Sequence, residues 1–216
     1  MPYSHFNQLG KINELIILTN PRRILDIGMG FGTYGFLSRL YLDIADGREN
    51  YKRWLRVIDG IEVFKDYLTP VHNFIYNRIF IGNASRIVPA LKSKYDLILL
   101  IDVIEHFPKK EGKKLLQDCL KKSKNVILAT PKNIGFQVDA FGNKFETHKY
   151  QWKKQDFTPF PNKFFLGHPD AFIVFIGEDA KKIQKKWLKR YWGFVLRSIC
   201  PQLYDLLWKI RGRIKI

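Results

Sequence analysis

The chain is short of acidic groups, of cysteine and of long apolar runs. Only 20 Asp and Glu face 37 Lys and Arg, a formal charge of +17 over 216 residues. That balance favours anionic partners such as nucleic acid, an acidic membrane or a phosphorylated substrate, and a basic but inert surface is the plain alternative. The two cysteines, Cys119 and Cys200, form no CxxC pair and sit near no His at metal-ligand spacing. A disulfide scaffold and a zinc ribbon are therefore excluded, and two reduced thiols in a cytoplasmic protein are expected. No apolar stretch approaches the ~20 residues of a spanning helix. The early run 15–18, LIIL, is too short for a signal sequence and stops at Asn20-Pro21. Internal repeats are also missing.

What is present is a core-forming composition, 46% hydrophobic, in a length that suits one domain with a terminal extension. Apolar runs alternate with helical patterns. Residues 24–27 read as a buried strand that ends in glycines, 33–41 as a helix with Tyr34, Leu37 and Leu40 on one face, and 56–61 as a second strand. A helix is expected over 66–76, started or kinked by Pro70. Strands follow at 78–81 and at 95–101, YDLILLI, the latter a continuous run of the type found in central parallel strands. A helix over 109–122 with Leu115, Leu116, Cys119 and Leu120 inward leads to a fifth strand at 125–129, stopped by Pro131. Residues 136–162 look like an active-site flap with a short helix near 152–157, and 163–166 with 171–176 read as a late hairpin. This βαβαβ order predicts an α/β fold with a doubly wound, mostly parallel sheet, whose ligands bind beyond the carboxyl ends of the strands.

Directly after the first strand comes Asp26-Ile27-Gly28-Met29-Gly30-Phe31-Gly32. Alternate glycines allow positive φ and close approach of a ligand. Dinucleotide sites use GxGxxG at the same place, but here the spacing is DxGxGxG. This pattern resembles motif I of the class I S-adenosylmethionine-dependent methyltransferases. The resemblance covers roughly residues 20 to 177. It includes Glu62 at the end of the second strand, where the family binds the ribose hydroxyls, and Gly82-Asn83-Ala84 after the third, where the family often carries GDA against the adenine. Asn83 departs from that aspartate, yet an amide still hydrogen-bonds an adenine edge. The resemblance implies a Rossmann-like fold of seven strands with an antiparallel late hairpin. It also implies S-adenosylmethionine held by Asp26, Gly28, Gly30, Gly32, Glu62, Asn83 and Asp102.

An acid–histidine group, Asp102-Val103-Ile104-Glu105-His106, follows the fourth strand. A second, Glu146-Thr147-His148-Lys149-Tyr150-Gln151-Trp152, follows the fifth. On a helical turn Asp102, Glu105 and His106 would share a face. The pairing resembles small-molecule O-methyltransferases, and also small-RNA 3′-terminal 2′-O-methyltransferases, which carry ExxEH, TPN and HxxxW elements. Carried over from the RNA enzymes, Asp102, Glu105, His106 and His148 would ligate Mg²⁺ or Mn²⁺. Asp102 is one methylene shorter than the family's glutamate. Without metal, His106 or His148 would be a general base oriented by a carboxylate, or the group would only shape the pocket.

Residues 179–216 hold +10 of the charge in their last 36 positions. Ile183, Trp187, Leu188, Tyr191, Trp192, Val195 and Ile199 form a broad helical face, with Lys182, Lys185, Lys186, Lys189 and Arg190 mostly elsewhere. Pro201 interrupts before Leu206, Leu207 and Trp208. Three partners suit such a segment: a membrane surface, the protein's own sheet or another subunit, and RNA. The expected organisation is an N-terminal helical segment (1–20), a methyltransferase domain (21–178) and a basic helical extension (179–216). The expected activity is O-methylation of a small or lipid-linked acceptor, in the cytoplasm or peripherally at a membrane. An RNA ribose methyltransferase and a non-catalytic cofactor-binding protein stand as alternatives.

Overall fold

Strand four shows how the apolar runs become a sheet. Leu97, Leu99 and Ile101 turn to one face and join one buried cluster, while Ile98 and Leu100 turn to the other face and join a second. A strand buried on both faces needs no polar alternation, which is why YDLILLI is unbroken.

In the computed structural model, which describes residues 4–48, 50, 53–135, 137, 139 and 142–204, the elements run α1 (Phe6–Thr19), β1 (Arg23–Ile27), α2 (Thr33–Leu42), β2 (Val57–Glu62), α3 (Pro70–Ile75), β3 (Arg78–Ile81), α4 (Ala84–Ala90), β4 (Tyr95–Ile101), α5 (Lys109–Lys122), β5 (Ser123–Pro131), β6 (Lys163–Leu166), β7 (Ala171–Gly177) and α6 (Ala180–Ile199). The seven strands form one sheet in the order β3-β2-β1-β4-β5-β7-β6. All pairings from β3 to β5 are parallel, and β7 runs antiparallel to both β5 and β6. This is the expected α/β fold with its late hairpin. Strand order reverses between β1 and β4, so the crevice beyond their carboxyl ends is where a ligand belongs.

Helices α1, α2, α3 and the start of α6 cover one face, with Ile12, Leu15, Ile16, Tyr34, Leu42 and Ile183 buried there. Helices α4 and α5 cover the other with Val88, Leu115, Leu116 and Cys119, joined by Trp152 and Phe157 from the segment after β5. Both Cys119 and Cys200 are free thiols.

Several boundaries differ from the sequence reading. Pro70 starts α3 instead of kinking a longer helix, because its missing N–H costs nothing in a first turn. A separate 3₁₀ turn, Lys65–Tyr67, precedes it. The short helix α4 was not anticipated. Pro89 lies inside it, and Asn83 caps it by accepting from the Ser85 amide at 2.9 Å. The buried face of α2 is Tyr34, Gly35, Ser38, Arg39 and Leu42; Leu37 and Leu40 are only half-buried. Arg39 can go inside because Asp43, Asn77 and the carbonyls of Ile75 and Arg56 take up its guanidinium. Strand β5 runs on through Pro131, since a proline at a strand terminus gives up few ladder bonds. The short helix expected at 152–157 is a 3₁₀ turn over Lys154–Phe157. The second helical run, with Leu206, Leu207 and Trp208, falls outside the described residues.

Candidate active site

The glycine loop leaves β1 with Gly28, Gly30 and Gly32 at φ values of 68°, 51° and 83°. A Cβ on Gly28 would lie 2.4 Å from Val103 Cγ2, so this position needs glycine for space as well as for conformation. Glu62, at the end of β2, fastens the loop. One carboxylate oxygen accepts from the Gly30 amide at 3.0 Å, and the other from the Val63 and Phe64 amides, each at 2.9 Å. Burial raises the Glu62 pKa, and those three amides oppose the shift. With three acceptor positions used, about one remains for a ligand.

Two side chains that the sequence reading missed complete this scaffold. His72, in α3, places Nε2 2.8 Å from the Gly30 carbonyl, while its Nδ1 accepts from the Thr69 amide at 3.0 Å. With Nδ1 accepting, the proton sits on Nε2 and is donated to the Gly30 carbonyl. The Gly30 residue is therefore gripped at its N–H by Glu62 and at its carbonyl by His72. Tyr76 donates its hydroxyl to Asp26 at 2.7 Å. Burial pushes the Asp26 carboxyl up to about 7; the Tyr76 hydrogen bond lowers it and the Glu62 charge raises it. The signal for His72 was its place three residues after Thr69, the residue before Pro70 in a helix-start pattern. Nothing local marks Tyr76.

A cleft of ≈ 1050 Å³, open solvent included, runs along the carboxyl ends of the strands. Asp26, Gly28, Gly30, Glu62, Asn83, Asp102 and His106 all line it. Gly32 does not; it is the N-cap of α2. Asp102 has φ 53°, a left-handed conformation that Asp tolerates better than most residues. Its carboxylate accepts from Gln8 of α1 at 2.5 Å. Burial raises its pKa to about 6, against the hydrogen bonds from Ser4 and Gln8.

Glu105, His106 and His148 converge. One ligand atom from each lies within 4.8 Å of the others. The approach is built by backbone: the Lys149 and Tyr150 amides donate to the Glu105 carbonyl at 2.8 and 3.1 Å, and Trp152 Nε1 donates to the Ile104 carbonyl at 3.1 Å. Glu105 is buried, and Thr130 Oγ1 donates to it at 3.0 Å. Its pKa stands well above the ordinary carboxylate value, from burial first and then from the Asp102 charge. The imidazoles of His106 and His148 have their centroids 5.1 Å apart. Burial lowers both pKa values, so both rings are neutral at pH 7. His106 Nδ1 faces the Thr147 carbonyl at 3.2 Å and must donate there, which leaves the Nε2 lone pair available. His148 Nδ1 is buried with no hydrogen-bond partner. Asp102, tied to Gln8, lies outside this cluster.

No protein-family model matches the chain, and no curated protein matches its sequence. Solved structures do match. The N-terminal domain of EvdMO1, in the presence of SAH and D-fucose, gives a TM-score of 0.56 at 15% identity over 82% of this chain and 84% of that one. Monomeric WbdD also gives 0.56, at 17% identity over 81% of this chain, but the chain spans only 42% of that protein. The chain has the class I methyltransferase fold. The methyltransferase domain of bacterial CtHen1-CN gives 0.50 at 17% identity, over 80% of this chain and 98% of that one. In this fold the glycine loop, Glu62 and Asn83 fall at the ends of β1, β2 and β3, along one side of the cleft.

Proposed function

We propose that the protein transfers a methyl group from S-adenosylmethionine to a hydroxyl oxygen of a small or lipid-linked acceptor. The observation that carries this reading is the single cleft that joins the glycine loop, Glu62 and Asn83 to His106. Glu62 has acceptor capacity left for a ribose hydroxyl. The Asn83 carbonyl oxygen is engaged by the Ser85 amide, so its amide N–H₂ is the group offered to an adenine ring nitrogen. When bound, the sulfonium would supply the methyl group to the acceptor oxygen and leave as a neutral thioether, and His106 Nε2 would take the hydroxyl proton. Holding donor and acceptor in line supplies most of the acceleration, and the base removes a proton that a hydroxyl cannot otherwise lose at neutral pH. Aliphatic acceptor hydroxyls gain most from that base.

Calorimetry with S-adenosylmethionine tests the cofactor side, with Glu62→Ala and Asp26→Ala as controls. Absence of binding, or equal binding by all three proteins, refutes it. Transfer of label into metabolite, lipid and RNA extracts tests the acceptor side, and binding without any transfer would leave a non-catalytic cofactor-binding protein.

The convergence of Glu105, His106 and His148 supports a second reading, a metal-dependent RNA ribose 2′-O-methyltransferase. A buried carboxylate, two neutral imidazoles and one unpartnered ring nitrogen make a chemically apt donor set for Mn²⁺ or Mg²⁺. Such an ion would lower the pKa of an acceptor hydroxyl. The Asp102 carboxylate belongs to the cleft wall rather than to this donor set. Full turnover after chelation, and with His148→Ala, would leave the base reading standing.

A further inference from the structure

Helix α6 has 20 residues, a length of about 30 Å. Its first three turns are anchored. Ala180 and Ile183 join the core, Trp187 packs against it, Lys186 reaches the Leu18 carbonyl, and Arg190 pairs with Glu14 at 3.3 Å. Among the described residues, self-packing accounts for that half alone. Farther on the apolar side chains face outward: Leu188, Tyr191, Trp192, Phe194 and Ile199 are between 40% and 79% exposed. At 100° per residue they spread over one side of the helix; Lys182, Lys186, Arg190 and Arg197 gather on the other, Lys185 and Lys189 border the apolar arc, and Lys181, in the first turn, is the basic residue within it. The helix carries seven basic residues and no acidic one.

A folded chain seldom leaves so many large apolar groups together in water unless they have a partner. We infer that the C-terminal half of α6 is an interfacial helix that docks the protein on an anionic lipid bilayer. The charge fits an acidic surface, and no described helix is long and apolar enough to cross one. A helix lying in the interface plane satisfies both facts: its apolar face enters the acyl boundary, and Arg197 with the exposed Lys185 and Lys189 just before that half meets the headgroups. Nucleic acid fits less well. Leu188 and Ile199 have no stacking face, and the aromatic and basic groups are segregated rather than interleaved. A second copy of the chain would bring two strongly basic helices together.

The inference stands apart from the methyl-transfer reading, because binding is measured without turnover. The test is sedimentation of the full chain with vesicles of phosphatidylcholine containing about 30% phosphatidylserine, and with phosphatidylcholine alone. Binding is expected to the anionic vesicles and to be much weaker without them. Trp192→Glu with Phe194→Glu should lower it about tenfold or more. Lys185→Ser with Lys189→Ser should lower it about 25-fold, near fivefold for each charge lost. All four side chains are exposed, so thermal unfolding should be unchanged. Three results would overturn the inference: no vesicle binding, undiminished binding by the Glu double variant, or self-association or oligonucleotide binding that accounts for the apolar face while vesicles are ignored.

Discussion

Replacing Gly35 by alanine tests whether the Asp26–Tyr76 contact organises the glycine loop. Gly35 lies within α2, where propensity alone would reward alanine by about 1 kcal/mol. The packing says the opposite. A Cβ there would stand 2.4 Å from Tyr76 Oη, 2.5 Å from Cζ and 2.8 Å from Cε1. The ring cannot retreat freely, since Tyr76 is buried and packed within the core cluster on that face of the sheet. The ring must shift, and the bond from Tyr76 to Asp26 is lost. Overpacking costs about 1–3 kcal/mol and the orphaned carboxyl about 1–3 more. After the propensity gain, the net loss is about 3 kcal/mol, a fall in melting temperature of about 6–12 °C for a chain of this size. S-adenosylmethionine affinity should fall as well. Tyr76→Phe removes only the hydroxyl, and in the double variant the two losses should overlap by about 1 kcal/mol or more, because both act through one contact. Thermal unfolding of the four proteins and calorimetry measure this. A Gly35→Ala protein as stable as the parent, or losses that simply add, would refute the argument.

Asp26 also sets a pH dependence. Its folded carboxyl titrates near 7, above its ordinary 3.8, so the fold holds a proton that the unfolded chain has released. Stability from this group is greatest below about pH 4 and declines as pH rises toward about 7, by up to about 4 kcal/mol. Asp26→Asn, which still accepts from Tyr76, should flatten that slope in melting curves from pH 4 to 8. His72→Phe should weaken S-adenosylmethionine binding about tenfold by releasing the Gly30 carbonyl, one charge-free hydrogen bond's worth. His72→Gln, which keeps a donor, should recover part of it, and equal binding by both would discount the role. His106→Ala should cut the turnover number by about 10²–10³ while leaving cofactor affinity within about twofold, the split expected of a base. A matching loss of affinity would place His106 in the binding scaffold instead.

Much of the fold was readable because its determinants are local. The unbroken run of β4, the helical spacing of α5 and the glycines after β1 each carry their own periodicity or turn chemistry. Helix α4 escaped because seven residues with an internal proline carry too little periodic signal. The site was legible in part. Glu62 and Asn83 stand at strand ends that the sequence already located, so their arrival at one cleft followed from topology. His72 and Tyr76 act through contacts 42 and 50 residues away along the chain, and no spacing rule reaches that far.

By itself, then, the sequence determined most element types, the doubly wound order, the glycine loop and the basic character of the last helix, since all of these rest on local pattern and composition. Tertiary structure alone decided which acidic groups meet the imidazoles. Glu105 joins His106 and His148, while Asp102 turns to Gln8. That choice depends on the left-handed backbone at Asp102 and on amides of Lys149 and Tyr150 that dock on the Glu105 carbonyl. Tertiary structure likewise split α6 into a half that the core buries and a half that it does not. A hydrophobic pattern specifies that a face wants cover, but only the packed molecule shows whether anything in the chain provides it.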